Sequence, residues 1–232
     1  MHNFYSMPNN FFIQFLNVSI IRNNSLILKD LNFSIRKGDF VCLLGNTGSG
    51  KSSLLQSIYG QLPIQQGNIV VDEILVHQID SNTLPYLRRK IGIISDTFPL
   101  DPKLSVLQNF DFVLSVTDWS DAANKSARIQ QILALLGIEH LKNQKTDQLT
   151  KKEYLKTLIG RALLNAPSIL LVDAPVQHLD VQAAQEILNF IYQYAQDHNI
   201  AVILATVNNK IPQLLDVDKI LLCQNNTIEE IE

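Results

Sequence analysis

The segment Gly45-Asn46-Thr47-Gly48-Ser49-Gly50-Lys51-Ser52, followed by Ser53, has the G-x-x-x-x-G-K-[ST] spacing of a phosphate-binding loop. Glycines at these positions let main-chain amides turn inward toward anionic oxygens. A helix that starts at Lys51 adds the partial positive charge of its N-terminus. In such a loop Lys51 reaches the β and γ phosphates of a nucleoside triphosphate, and the Ser52 hydroxyl is a ligand for Mg²⁺. A second element is Ser168-Ile169-Leu170-Leu171-Val172-Asp173, an apolar run ending in a carboxylate. Asp173 on its own reads equally as a helix cap or as the group that holds a water of the Mg²⁺ shell; beside the loop motif the second reading is favoured. The expected binding set is Gly45, Asn46, Thr47, Gly48, Ser49, Gly50, Lys51, Ser52 and Ser53, with Ser52 and Asp173 toward the metal.

Residues of this kind work only if strands and helices aim them. Phe40-Val41-Cys42-Leu43-Leu44 is a continuous apolar run, as a strand covered on both faces should be, and it leads straight into the loop. Lys51–Tyr59 continues as a helix. Upstream, strands are expected around Phe11–Ile21 and Leu26–Ile35, with a tight turn at Arg36-Lys37-Gly38-Asp39. Further strands are expected at Asn68–Val76 and Ile91–Ile94. From about Asp96 to Thr150 strand signals vanish. Ile129, Ile132, Leu133 and Leu136 mark one helix face there, and Gly137 is a natural stop. The α/β rhythm then resumes with a helix to Asn165, a strand Ser168–Val172, a helix Val181–Gln196, a strand Ile200–Ala205 and a last strand Lys219–Cys223. The pattern predicts one α/β core, residues 1–232, with a helical subdomain inserted at about 97–150 and strands parallel where helices cross between them.

Composition narrows the classes. With 46% apolar residues among 232, the chain can fill a sizeable core. A net charge of −3 gives no sign of a nucleic-acid surface. Cys42 and Cys223 lie in apolar runs without a CxxC pair, so they are expected to be buried, reduced and inert, as in a cytosolic protein. No run reaches the roughly 18 uncharged apolar residues of a spanning helix. Met1 to Phe12 makes a poor signal peptide. Membrane association is therefore expected to come through a partner.

What surrounds the two phosphate-site motifs resembles ABC-type ATPases. Leu84-Pro85-Tyr86-Leu87-Arg88-Arg89-Lys90-Ile91-Gly92-Ile93-Ile94 resembles the approach to the Q-loop. Leu149-Thr150-Lys151-Lys152-Glu153 and Gly160-Arg161-Ala162-Leu163-Leu164-Asn165-Ala166-Pro167 resemble the signature helix, and His178-Leu179-Asp180 sits where a D-loop belongs. With Asn109-Phe110-Asp111-Phe112-Val113-Leu114, the chain is similar to the cell-division ATP-binding proteins of FtsE type and their lipoprotein-release and macrolide-export relatives. The resemblance implies a P-loop NTPase fold: a RecA-like core, an N-terminal antiparallel β subdomain and the inserted helices. It also implies MgATP as ligand and head-to-tail dimerisation. A membrane protein of few spans, FtsX-like for this subgroup, would dock near the Q-loop and hold the chain on the inner face of the plasma membrane.

Several positions depart from that family. Its general base, a Glu after the strand-end Asp, corresponds to Ala174, and loss of a general base typically lowers a rate by about 10²–10⁴. Its switch His corresponds to Val207 and its Q-loop Gln to Asp96. The signature Ser-Gly-Gly has become Thr150-Lys151-Lys152, although Thr150 and Glu153 still form a capping box. The aromatic residue that stacks on adenine would lie near Ile21 or Arg22, where only Arg22 can stack, through its guanidinium plane. Two readings follow. One is a binding module that takes up MgATP, or merely keeps the loop for folding, hydrolyses ATP weakly or not at all, and acts with a membrane partner in cell division or envelope transport. The other is a working ATPase that couples hydrolysis to transport or cell-wall remodelling, its base coming from Asp96, His178 or a partner's carboxylate. The chain would act as a homodimer or as a heterodimer with an intact paralogue. Phe98-Pro99-Leu100 is either part of a docking surface or core of the insertion. The lysines at 142, 145, 151, 152 and 156 are a solvated face or, less commonly, a contact for phosphate or an acidic partner.

Overall fold

A two-residue hairpin turn of type I′ has positive φ at both central residues, and Asn23 (φ 50°) and Asn24 (φ 60°) supply it. They join β1 (Phe11–Arg22) to β2 (Ser25–Arg36) as an antiparallel pair. The computed structural model describes residues 11–176 and 179–231. After β3 (Phe40–Leu44) and α1 (Lys51–Ile58) come β4 (Gln66–Val71), β5 (Ile74–Leu75), α2 (Thr83–Arg89) and β6 (Ile91–Ile94). Helices α3 (Val106–Ser115), α4 (Ala122–Leu136) and α5 (Lys151–Leu163) follow, then β7 (Ile169–Asp173), α6 (Val181–His198), β8 (Ala201–Thr206), α7 (Ile211–Leu214), β9 (Lys219–Gln224) and β10 (Thr227–Ile231).

Two sheets result. One is antiparallel, in the order β2-β1-β4-β5; the other runs β10-β9-β3-β8-β7-β6. In the larger sheet β9, β3, β8, β7 and β6 are mutually parallel, as the helical crossovers require, and only β10 is antiparallel. Alternate residues of β3 feed two cores. Phe40, Cys42 and Leu44 pack with the helices α3 to α6, whereas Val41 and Leu43 pack with α1 and the antiparallel sheet. Both faces are covered, which is why β3 reads as an unbroken apolar run.

Two expectations need correction. The segment Asn68–Val76 is not one strand: Asp72 (φ 47°) and Glu73 (φ 66°) form a two-residue turn between β4 and β5, and Val76 begins a short 3₁₀ turn. Nor is Lys219–Cys223 the last strand. Asn225 (φ 50°) and Asn226 (φ 61°) turn the chain back into β10. The side chain of Asn226 then donates to the carbonyls of Leu26 (3.2 Å) and Ile27 (2.9 Å), fastening this hairpin to β2.

The helical insertion leaves the larger sheet after β6 and returns at β7, its parallel neighbour. Ile129, Ile132, Leu133 and Leu136 are buried on α4, and Gly137 (φ 64°) ends that helix as its amide donates to Leu133 and Ala134 carbonyls. The helix α5 lies directly on β6, and Gly92 makes this approach possible. A Cβ at Gly92 would stand 2.6 Å from the Ala162 carbonyl oxygen and 2.7 Å from Leu170 Cδ2. Gly92→Ala should therefore lower the unfolding free energy by about 1–3 kcal/mol, read as a lower urea midpoint at unchanged slope.

Candidate functional site

Parallel strands deliver their carboxyl ends to one rim of the sheet. The loop after β3, Asp173 at the end of β7 and Thr206 at the end of β8 meet there, with Leu44 in register with Thr206 and Asp173 with Ala205. Lys51 is the first residue of α1 and only 7% exposed. Its ammonium donates to the carbonyl oxygens of Gly45 (2.7 Å) and Asn46 (2.8 Å) and lies 3.5 Å from Ser49 Oγ. Burial pulls the Lys51 pKa down, while nearby Cys223 and Asp173 act in the opposite sense. The chain around the loop is close-fitting. A Cβ on Gly45 would stand 2.5 Å from the Cys223 carbonyl oxygen and 2.6 Å from Ser49 Oγ.

Asn46, Thr47 and Gly48 are exposed, Ser49 and Gly50 half-buried, Ser52 half-buried and Ser53 buried. No side chain caps the N-terminus of α1 and no acidic residue sits in its first turn, so its leading amides suit an anion. Ser52 and Asp173 line one small cavity of about 10 Å³, together with Gln56, Tyr59, Ser95 and Thr97. A hydroxyl and a carboxylate here are the hard oxygen donors that Mg²⁺ takes beside phosphate oxygens. Among the described residues no group of three or more His, Cys, Asp or Glu side chains forms a cation cage by itself. The donor set thus fits a metal completed by a bound phosphate. Burial, then Asp173, pushes the Tyr59 phenol up to about 12.

The positions expected to act on water look different. Ala174 sits in the left-handed region (φ 50°), its amide donating to the Ala205 carbonyl at 2.9 Å, and carries only a methyl group. Val207 is 49% exposed and apolar. Asp96 is exposed and does not line the cavity; its neighbours Ser95 and Thr97 do. That pair was missed in the sequence because hydroxyls beside a strand end carry no spacing signal. His178 lies outside the described residues, while Asp180 caps α6 by accepting from the Ala183 amide at 2.8 Å. Ile21 is half-buried and Arg22 exposed at the end of β1.

At the start of α5 the Thr150–Glu153 capping box forms as expected, with Glu153 Oε2 accepting from the Thr150 amide at 2.8 Å. Those bonds hold the Glu153 carboxyl below its ordinary range. Lys152 pairs with Glu186 of α6 at 2.5 Å, and Lys156 reaches the same carboxylate at 3.9 Å. Part of the lysine cluster therefore ties α5 to α6. Leu100 is core, whereas Phe98 and Pro99 line a groove of about 500 Å³ with Arg88, Phe112 and Arg161. Arg161 donates to the carbonyls of Phe98 and Pro99, and Phe112 is 62% exposed.

The two free thiols lie on the adjacent strands β3 and β9. Cys223 Sγ donates to the Ser49 carbonyl at 3.0 Å, and Cys42 is fully buried on β3. Burial pushes the Cys42 thiol up to about 12.

A family model described as ABC transporter matches residues 28–177. The cell division ATP-binding protein FtsE of Bacillus subtilis (strain 168) is 30% identical over 189 residues, covering 82% of each chain. FtsE of Streptococcus pneumoniae serotype 2 (strain D39 / NCTC 7466) is 28% identical over 193 residues, 83% of each. A solved structure of the dimeric ATP-binding cassette MJ0796, in a post-hydrolysis state bound to ADP and Pi, superposes with a TM-score of 0.83 at 25% identity, covering 95% of this chain and 99% of that one.

Because the folded state keeps the Cys42 proton and the unfolded state does not, its contribution to stability is complete below pH 9.0 and is lost as pH rises from there through about 12. Urea midpoints across that range should fall. Cys42→Ala should make the decline shallower by up to about 1.4 kcal/mol per pH unit.

Proposed function

This chain belongs to the ABC transporter family, and we propose that it serves there as an FtsE-like ATP-binding subunit that holds MgATP and hydrolyses it weakly or not at all. The loop Gly45 to Ser53 would take the triphosphate, with Lys51 exchanging its two carbonyl partners for β and γ phosphate oxygens. Ser52 and Asp173 would hold Mg²⁺, which supplies charge neutralisation on the phosphates. The observation that carries this reading is an asymmetry within one rim of the sheet. Lys51, Ser52 and Asp173 converge on the cradle, whereas the two positions that should handle water, Ala174 and Val207, offer a methyl and an isopropyl group. Neither side chain accepts a proton or donates to phosphate.

Among the described residues no helix is long and apolar enough to cross a membrane. The groove beside Phe98 and Pro99 supports docking of an integral membrane partner, FtsX-like for this subgroup, which would hold the subunit at the inner face of the plasma membrane. The subunit would work as a homodimer or beside an intact paralogue. In a heterodimer its loop would serve one nucleotide site, and its altered Thr150-Lys151-Lys152 segment would face the other.

Calorimetry with MgATP, followed by a turnover assay on the same sample, tests the proposal. Binding should be measurable and should disappear in Lys51→Ala. Turnover should lie about 10²–10⁴ below that of an ABC subunit that keeps its general base. Ordinary turnover that Lys51→Ala abolishes would refute the proposal.

A further inference from the structure

The hydroxyl of Ser95 stands one residue beyond β6, where the chain leaves the sheet for the helical insertion, and it is 6% exposed. Its Oγ lies 2.9 Å from Thr97 Oγ1 and accepts from the Thr97 amide at 3.2 Å. A hydroxyl has one donor and two acceptor sites, so these contacts leave capacity for another partner. Ser95 faces the cavity of about 10 Å³ that Ser52 and Asp173 also line. The apolar part of that wall is Leu55, Ile93 and Leu171; the rest is polar side chains from three separate elements. A polar cavity of about this volume holds one water, which needs two to four partners. Asp96, one residue on, points its acid elsewhere: it is exposed and absent from the lining.

We infer that Ser95 is a positioning residue for the divalent cation, its hydroxyl anchoring one water of the metal shell between Ser52 and Asp173. This rests on the reading that the loop binds MgATP. Mg²⁺ keeps several of its waters when it binds protein and phosphate, and an oxygen that fixes one of them favours a single shell geometry. Outer groups of this kind contribute about 10–100-fold to metal affinity. Ser95 does this without a charge and without touching the metal. Thr97 holds the Ser95 hydroxyl in place through the 2.9 Å contact.

The test is calorimetric titration of ATP into the full chain, in EDTA and at a series of MgCl₂ concentrations, for the wild type, Ser95→Ala and the near-isosteric Ser95→Cys. The wild type should bind ATP more tightly as Mg²⁺ rises. Both variants should need about tenfold more Mg²⁺ for the same tightening, with affinity in EDTA unchanged. If the wild type binds ATP in neither condition, the nucleotide reading and this inference fall together. If the wild type responds to Mg²⁺ and the variants respond equally, only the role of Ser95 is overturned. A variant that weakens binding by the same factor in EDTA and in Mg²⁺ marks a purely structural role and also overturns it.

Discussion

A lysine ammonium withdrawn from water needs oxygen atoms around it, and at the head of α1 those atoms are main-chain carbonyls of its own loop. The bonds from Lys51 to Gly45 and Asn46 close the loop into a ring whose outer residues are exposed and whose inner wall is β9. Cys223 contributes to that wall twice, through a carbonyl oxygen close beneath Gly45 and a thiol that donates to Ser49. The ring can exist only because β3 lies between β8 and β9 in a parallel sheet, so that a strand end, a glycine turn and a helix N-terminus follow one another within a few residues. The position of Asp173, one strand beyond β8, is a consequence of the same order.

What distinguishes this chain is how unevenly the rim of the sheet is furnished. The cradle half has an uncapped helix N-terminus, an ammonium, a hydroxyl and a carboxylate. The half that would prepare a water has Ala174, held in a left-handed conformation by its bond to Ala205, and Val207. A methyl group in a strained backbone position has no electrostatic role, and it is on this contrast that the proposed reading, retention of a ligand over its conversion, rests. The start of α5 carries a second departure from the family pattern. Lys151 and Lys152 stand where the family resemblance implies the glycines of a signature segment, and Lys152 is drawn to Glu186 across the α5–α6 contact. That pairing gives the lysine an internal use that does not depend on a second subunit.

Much of this was legible in the residues, for physical reasons. The run Phe40–Leu44 is apolar because both faces are covered, and the glycine spacing before Lys51 announces a loop that must pass close to a carbonyl. The Thr150–Glu153 box is local in sequence and was readable for that reason. Sequence and structure part where a two-residue turn hides inside an apolar stretch. Asp72 and Glu73 split Asn68–Val76 because both adopt positive φ, a conformation that Asn announces more clearly than Asp or Glu. The strand β10 was overlooked because its residues are largely exposed, and its Glu229-Glu230 pair gives no apolar alternation. Ser95 and Thr97 were invisible in the sequence, since only the packing of β6 beside β7 brings them to Asp173.

On the proposed reading the ring around Lys51 closes on a triphosphate and nothing beside it readies water. Phosphorus-31 NMR of ATP and Mg²⁺ mixed with an equal amount of the chain, followed overnight, tests both halves in one sample. Shifted and broadened β and γ resonances that persist, with no growing inorganic phosphate signal, are the predicted result. Resonances identical to free MgATP, or a phosphate signal that consumes the γ resonance within minutes, would contradict it.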